Sequence, residues 1–125
     1  MFRLTQYMRE LVHPTPVRRR SVAGLGPVKP VVIWNLTRTC NLRCVHCYSD
    51  SNALQYPGEL NWEEMESVVE DLAAYHVPSL LLSGGEPLVH PRFFDLVQRA
   101  SAAGLKLTIS TNGTLITRRK AQEIR

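Results

Sequence analysis

The chemistry in this 125-residue chain gathers in Cys40-Asn-Leu-Arg-Cys44-Val-His-Cys47, which holds all 3 of its cysteines at a C-x3-C-x2-C spacing. One tight loop with that spacing can aim three sulfurs at a single centre. An odd number of cysteines crowded together cannot staple a fold as a secreted disulfide framework does, so metal chemistry becomes the leading question. Iron-sulfur clusters are held by cysteine thiolates, and a cubane with only three protein sulfurs keeps one iron open to an exogenous ligand. Zinc normally takes four ligands in paired spacing, and His46, adjacent to Cys47, is poorly placed to close the same tetrahedron. The spacing therefore favours a cluster over zinc, with free buried thiols a weaker third reading.

A second constellation is Ser83-Gly84-Gly85-Glu86-Pro87. Taken alone, a Gly-Gly pair is more often a turn and a glutamate more often a solvated charge. At the C-terminal end of a strand, however, glycines let backbone groups approach a ligand closely, and barrel-type sites gather on that face. The pair is then placed to meet the backbone-like groups of an amino acid.

The elements that must position these residues alternate along the chain. Val31 to Leu36 is a short apolar run, β-branched and aromatic, bounded by Pro30 and Thr37, and reads as a buried strand. Asn61 followed by Glu64 matches a capping box, and Met65, Val68, Val69 and Leu72 recur at helical spacing as a core-facing stripe that ends before Pro78. Ser79 to Ser83 reads as a second strand. Pro91 suits the first turn of a helix carrying Phe94, Val97 and Ala100, with Gly104 as its left-handed stop. Leu105, Leu107 and Ile109 alternate as a third strand, and Thr117 starts a third helix. Three βα units imply parallel strands with crossover helices, and so small a sheet would leave open edges, so the chain is expected to be about half of a larger βα barrel. Between the first strand and first helix, Thr37 to Leu60 is some two dozen residues without periodicity. Loops longer than about 12–15 residues usually have a function, and this one carries the cysteines.

Composition bounds the class: 44% hydrophobic and 21% charged residues suit one modest globular domain. No apolar run approaches the roughly 18–20 residues of a membrane span, and Arg3, Arg9 and Glu10 interrupt the stretch where a signal peptide would be apolar. A cytoplasmic protein without a membrane partner is expected. The net charge of +4 is uneven, since residues 1–30 hold six Arg or Lys against Glu10 alone. Arg18, Arg19 and Arg20 sit among prolines without interleaved aromatics, which reads as a solvated arm (1–30) ahead of the folded part (31–125); no nucleic-acid partner is expected.

Taken together, Cys40 to Tyr48, Gly84-Gly85-Glu86-Pro87 after the second strand and Ser110-Thr111-Asn112-Gly113 after the third resemble the radical SAM superfamily, over residues 31–125. The wording of Phe2 to Tyr7, Pro14-Thr-Pro16, Pro30 to Arg38, Tyr48 to Ser51 and Tyr56 to Leu60 is similar to its tetrapyrrole-modifying branch, nearest to enzymes of haem d1 biosynthesis. The resemblance implies an α/β fold, the N-terminal part of a partial (β/α)6 TIM-like barrel. It implies a 4Fe-4S cluster on Cys40, Cys44 and Cys47 that chelates S-adenosylmethionine and cleaves it reductively to a 5′-deoxyadenosyl radical. It further implies that Gly84, Gly85 and Glu86 meet the methionine amino group. His46 would lie against the adenine or pack within the loop, and Ser110, Thr111 and Asn112 would contact the methionyl or ribose part. A sirohaem-derived tetrapyrrole substrate and a low-potential donor of flavodoxin or ferredoxin type are the implied partners. Arg38, Arg43 and Arg18 to Arg20 could then meet porphyrin carboxylates, since guanidinium matches carboxylate bidentately. Sibling enzymes of the sirohaem-dependent haem pathway, peptide-modifying members of the superfamily and, in a different class, a non-catalytic zinc module are the alternatives.

Overall fold

A computed structural model of the chain describes residues 29–124. The N-terminal arm expected over residues 1–30, with Arg18 to Arg20, lies almost wholly outside the described residues. The sheet has three parallel strands in the order β1 (Val32–Asn35), β2 (Leu80–Ser83) and β3 (Leu107–Ile109). Val32 pairs with Leu80 and Asn35 with Ser83, and Leu80 pairs in turn with Leu107 and Leu82 with Ile109. Parallel neighbours need a crossover, which α1 (Trp62–Ala74) supplies between β1 and β2 and α2 (Phe93–Ala102) between β2 and β3. A short α3 (Arg118–Glu123) follows β3 and is capped by the Thr117 side chain, as expected for its start.

The core is the layer between the sheet and the two crossover helices. Leu80 and Leu82 of β2, with Leu36 just after β1, meet Met65 and Val69 of α1 and Phe93, Leu96 and Ala100 of α2. Each large apolar side chain so buried contributes about 1.5–3 kcal/mol. Across the outer surface of this layer, Arg99 of α2 reaches Glu70 at 2.6 Å and Glu66 at 3.5 Å on α1, so the helices are tied by charge where packing ends.

The capping box at α1 is present in both halves: the Glu64 N–H donates to Asn61 Oδ1 (3.0 Å) and the Asn61 N–H to Glu64 Oε2 (2.8 Å). Gly104, at φ +81°, stops α2 where only a residue without Cβ turns left at little cost.

Among the described residues β1 packs one face on the core through Val32 and Trp34, and Ile33 on the opposite face is 62% exposed. One expectation is corrected. Helix α2 begins at Phe93, so Pro91 precedes it and Arg92 caps it without a side-chain bond. The proline that does open a helical turn is Pro87, at the start of a 3-10 turn (Pro87–Val89) that the sequence reading did not contain. Two prolines four residues apart both satisfy the helix-start rule, and Glu86, whose side chain caps Leu88, decides between them.

Candidate functional site

All the predicted site residues lie at the C-terminal ends of the three strands. β1 delivers the cysteine loop, β2 delivers Gly84-Gly85-Glu86 and β3 delivers Ser110-Thr111-Asn112. What joins them is backbone. The Gly85 N–H donates to the Thr37 carbonyl (2.7 Å) and the Glu86 N–H to the Thr39 carbonyl (3.0 Å), so the entry to the cysteine loop is hydrogen-bonded to the glycine turn as though the ladder continued.

Both glycines are required by that approach. A Cβ on Gly84 would stand 2.3 Å from the Thr37 carbonyl oxygen, and one on Gly85 would stand 2.5 Å from Thr39 O and 2.7 Å from Arg38 O. Gly84 also sits at φ +143°, outside the range of L side chains. The close approach that these glycines permit here is to the chain's own backbone, at the root of the loop that carries Cys40.

Glu86 is fully buried, which excludes the solvated-charge reading. Its Oε1 accepts from the Leu88 N–H (3.0 Å), the Thr111 hydroxyl stands at 2.8 and 2.9 Å from its two oxygens, and Oε2 accepts from the Asn112 N–H (2.8 Å). A carboxylate is tolerated inside a protein when its lone pairs are satisfied in this way. Its side chain thus ties the end of β2 to the end of β3.

Asn112 extends the chain of contacts to the cysteines. Its Nδ2 donates to Asn41 Oδ1 (3.0 Å) and stands 3.9 Å from Cys40 Sγ, while the Leu42 N–H points at the same sulfur from 3.4 Å. Ser110 is exposed, and its N–H donates to the Leu82 carbonyl as the last rung of the ladder. His46 is exposed.

The three sulfurs differ in setting. Cys40 is buried, anchored by its N–H to the Asn52 carbonyl (2.7 Å) beside the isolated Thr39–Asn52 bridge, whereas Cys44 is exposed and Cys47 is intermediate. The Cys47 thiol is lowered to about 7, first by the Ser49 hydroxyl 3.3 Å away and then by the backbone N–H groups of Ser51 and Ser49. Such donors favour the thiolate that metal binding needs. Among the described residues no three His, Cys, Asp or Glu side chains stand close enough together to hold a metal ion. The donor chemistry fits a cluster nonetheless: three free soft sulfurs on one loop, with N–H donors aimed at Cys40. A cavity of about 450 Å³ beside the loop is lined by Cys40, with Arg43 and Asn52, but not by Cys44 or Cys47.

Of the arginines weighed for a substrate, Arg38 is already engaged. Its Nε donates to the Ser49 carbonyl (2.9 Å), and its guanidinium lies 4.6 Å from the centre of the Tyr56 ring and 3.8 Å from Asp50. Arg43 is exposed and lines the cavity beside Cys40. No helix among the described residues is long and apolar enough to cross a membrane.

Sequence reasoning missed Glu59, which bonds the start of the loop from its far end. It also missed Thr37, whose hydroxyl donates to Glu59. Nothing in periodicity marks a contact across a loop; only the polar Thr37-x-Thr39 pair after an apolar strand hinted at one.

A parallel βα sheet with a three-cysteine loop and a glycine turn at its C-terminal edge defines the class, and residues 34–125 match the Radical SAM superfamily. The chain belongs to that family, whose members use a 4Fe-4S cluster and S-adenosylmethionine. It is 48% identical over 99% of its length to pre-heme d1 synthase of Dinoroseobacter shibae, covering 30% of that protein. It is 44% identical to Fe-coproporphyrin III synthase of Methanosarcina barkeri over 78% of this chain and 24% of that one. It is 33% identical to AdoMet-dependent heme synthase of Oleidesulfovibrio alaskensis over 85% of this chain and 27% of that one. The chain thus spans about 30% or less of the length of these relatives.

Proposed function

We propose that this chain is the cluster-bearing part of a radical SAM enzyme of haem d1 biosynthesis that removes side chains from a sirohaem-derived tetrapyrrole. The observation that carries the reading is the 48% identity to pre-heme d1 synthase across almost the whole chain, higher and longer than the match to the heme synthase. Cys40, Cys44 and Cys47 would hold a 4Fe-4S cluster. When bound, that group supplies one-electron cleavage of S-adenosylmethionine to a carbon radical that abstracts hydrogen from the substrate. The chain's own residues bind and orient. Main-chain groups of Gly84, Gly85 and Glu86 meet the methionine amino group, Glu86 holds Thr111 and Asn112 at the facing strand end, and His46 offers an exposed ring beside the last sulfur. Arg43, exposed and lining the cavity beside Cys40, is, of the weighed arginines among the described residues, the one left to meet a porphyrin carboxylate. A flavodoxin- or ferredoxin-type protein supplies the electron.

The test is anaerobic reconstitution of the full-length enzyme followed by turnover with sirohaem-derived porphyrins. About four irons per three-cysteine site, S-adenosylmethionine cleavage and loss of substrate side chains are expected, and serine at any of the three cysteines should abolish the iron. Formation of iron-coproporphyrin III as the product would move the protein to the sibling haem pathway, a reading that the 44% identity to the synthase of that name supports. A colourless protein with one zinc would refute both.

A further inference from the structure

We infer that Glu59 is a positioning residue: it clamps the two ends of the cysteine loop together and so fixes the first sulfur relative to the glycine turn. The inference rests on the reading of Cys40 and Gly84-Gly85-Glu86 as the two grips on one cofactor. Glu59 Oε1 accepts from the Thr37 hydroxyl at 2.7 Å and from the Arg38 N–H at 3.0 Å, across a sequence separation of 22 and 21 residues. The Thr37 hydroxyl oxygen accepts in turn from the Thr39 N–H (3.0 Å).

This short segment is a rail between two partners. On one side it is held by Glu59; on the other the Thr37 carbonyl accepts from Gly85 and the Thr39 carbonyl from Glu86. Cys40 follows immediately, and Thr37 is buried at 4% exposure. Without the oxygen of Glu59, itself an exposed residue, the Arg38 N–H and the Thr37 hydroxyl lose their common acceptor, and the segment's main chain is held by its bonds to Gly85 and Glu86 and by the Cys40 anchor on Asn52. The separation between the sulfur of Cys40 and the main chain of Gly85 is then less tightly fixed. A cofactor gripped at both an iron and its methionine amino group is sensitive to that separation, whereas the iron content of the loop is set by the cysteines themselves.

The experiment uses the full-length enzyme reconstituted anaerobically, with Glu59→Ala, Glu59→Gln and Thr37→Val. Three quantities are read: iron per protein, the change in the electron paramagnetic resonance spectrum of the reduced cluster on titration with S-adenosylmethionine, and hydrogen exchange of the Gly85 and Glu86 amides. Glu59→Ala should retain wild-type iron, weaken the apparent affinity for S-adenosylmethionine by roughly tenfold and speed exchange at both amides, as loss of charge-assisted hydrogen bonds predicts. Glu59→Gln keeps an acceptor oxygen and should restore affinity to within about threefold. Wild-type affinity and exchange in Glu59→Ala would overturn the inference, as would equal losses in the Ala and Gln variants. If Glu59→Ala does not hold iron, Thr37→Val decides: intact iron with weakened affinity supports the clamp, and intact iron with unchanged affinity refutes it. Absence of any spectral response in the wild type would instead refute the cofactor reading beneath it.

Discussion

Replacing Glu86 tests whether one buried carboxylate organises the ends of β2 and β3. In Glu86→Ala the Leu88 N–H, the Thr111 hydroxyl and the Asn112 N–H all lose their acceptor. Leu88 is buried and Thr111 half-buried, so each of those donors left unpaired costs about 1–3 kcal/mol. Asn112 is exposed, and its N–H can turn to water at smaller cost. Adding the space left by the side chain, the expected loss is about 3–5 kcal/mol, a large part of the roughly 5–15 kcal/mol that holds a domain folded. Glu86→Gln keeps one oxygen but turns an NH2 toward one of the two N–H donors, so it should fall between the wild type and alanine, at about 1–3 kcal/mol. Urea unfolding of the full-length protein, followed by circular dichroism, measures the order. An alanine variant within about 1 kcal/mol of the wild type, or a glutamine variant as costly as alanine, would refute the reasoning, because either would mean that the three donors find other partners.

Gly85→Ala should cost about 1–3 kcal/mol or more and reduce iron retention, because its Cβ would meet Thr39 O at 2.5 Å, and an unchanged melting temperature would contradict the close approach. Asn61→Ala should lower stability by about 1 kcal/mol through loss of the cap on α1, read as a shift in thermal midpoint, and no shift would mean that the capping box contributes nothing. His90 is held below its usual 6.5 first by burial, with Glu59 opposing and Arg92 adding to the shift, and its Nδ1 accepts from the Arg92 N–H. A depressed histidine contributes stability above its unfolded value that is lost as pH falls from 6.5 through the folded value. The wild type should therefore lose stability relative to His90→Gln on acidification below that point, and parallel curves for the two would disprove it.

What the sequence made visible was whatever local pattern controls. The Asn61–Glu64 box, the Gly104 stop, the Thr117 cap and the alternation of strand and helix are each set within a few residues, and each is found in the structure. The cysteines announce themselves by spacing. Contacts between segments far apart in the chain were hidden, because Glu59 to Thr37 and Glu86 to Thr111 join polar residues with no period to mark them. The 3-10 turn at Pro87 was hidden for a related reason: its cap is a buried carboxylate that composition alone assigns to the surface.

The paired contacts of Thr37 and Thr39 with Gly85 and Glu86 carry a lesson for anyone wishing to transplant the sulfur-bearing segment into another scaffold. Its geometry is not self-contained: the carbonyls at its root lean into space that exists only because the neighbouring strand ends in two residues without side chains. A host βα protein given the cysteines alone would present them on a tether of the wrong shape, and the graft would need the glycine pair moved with it.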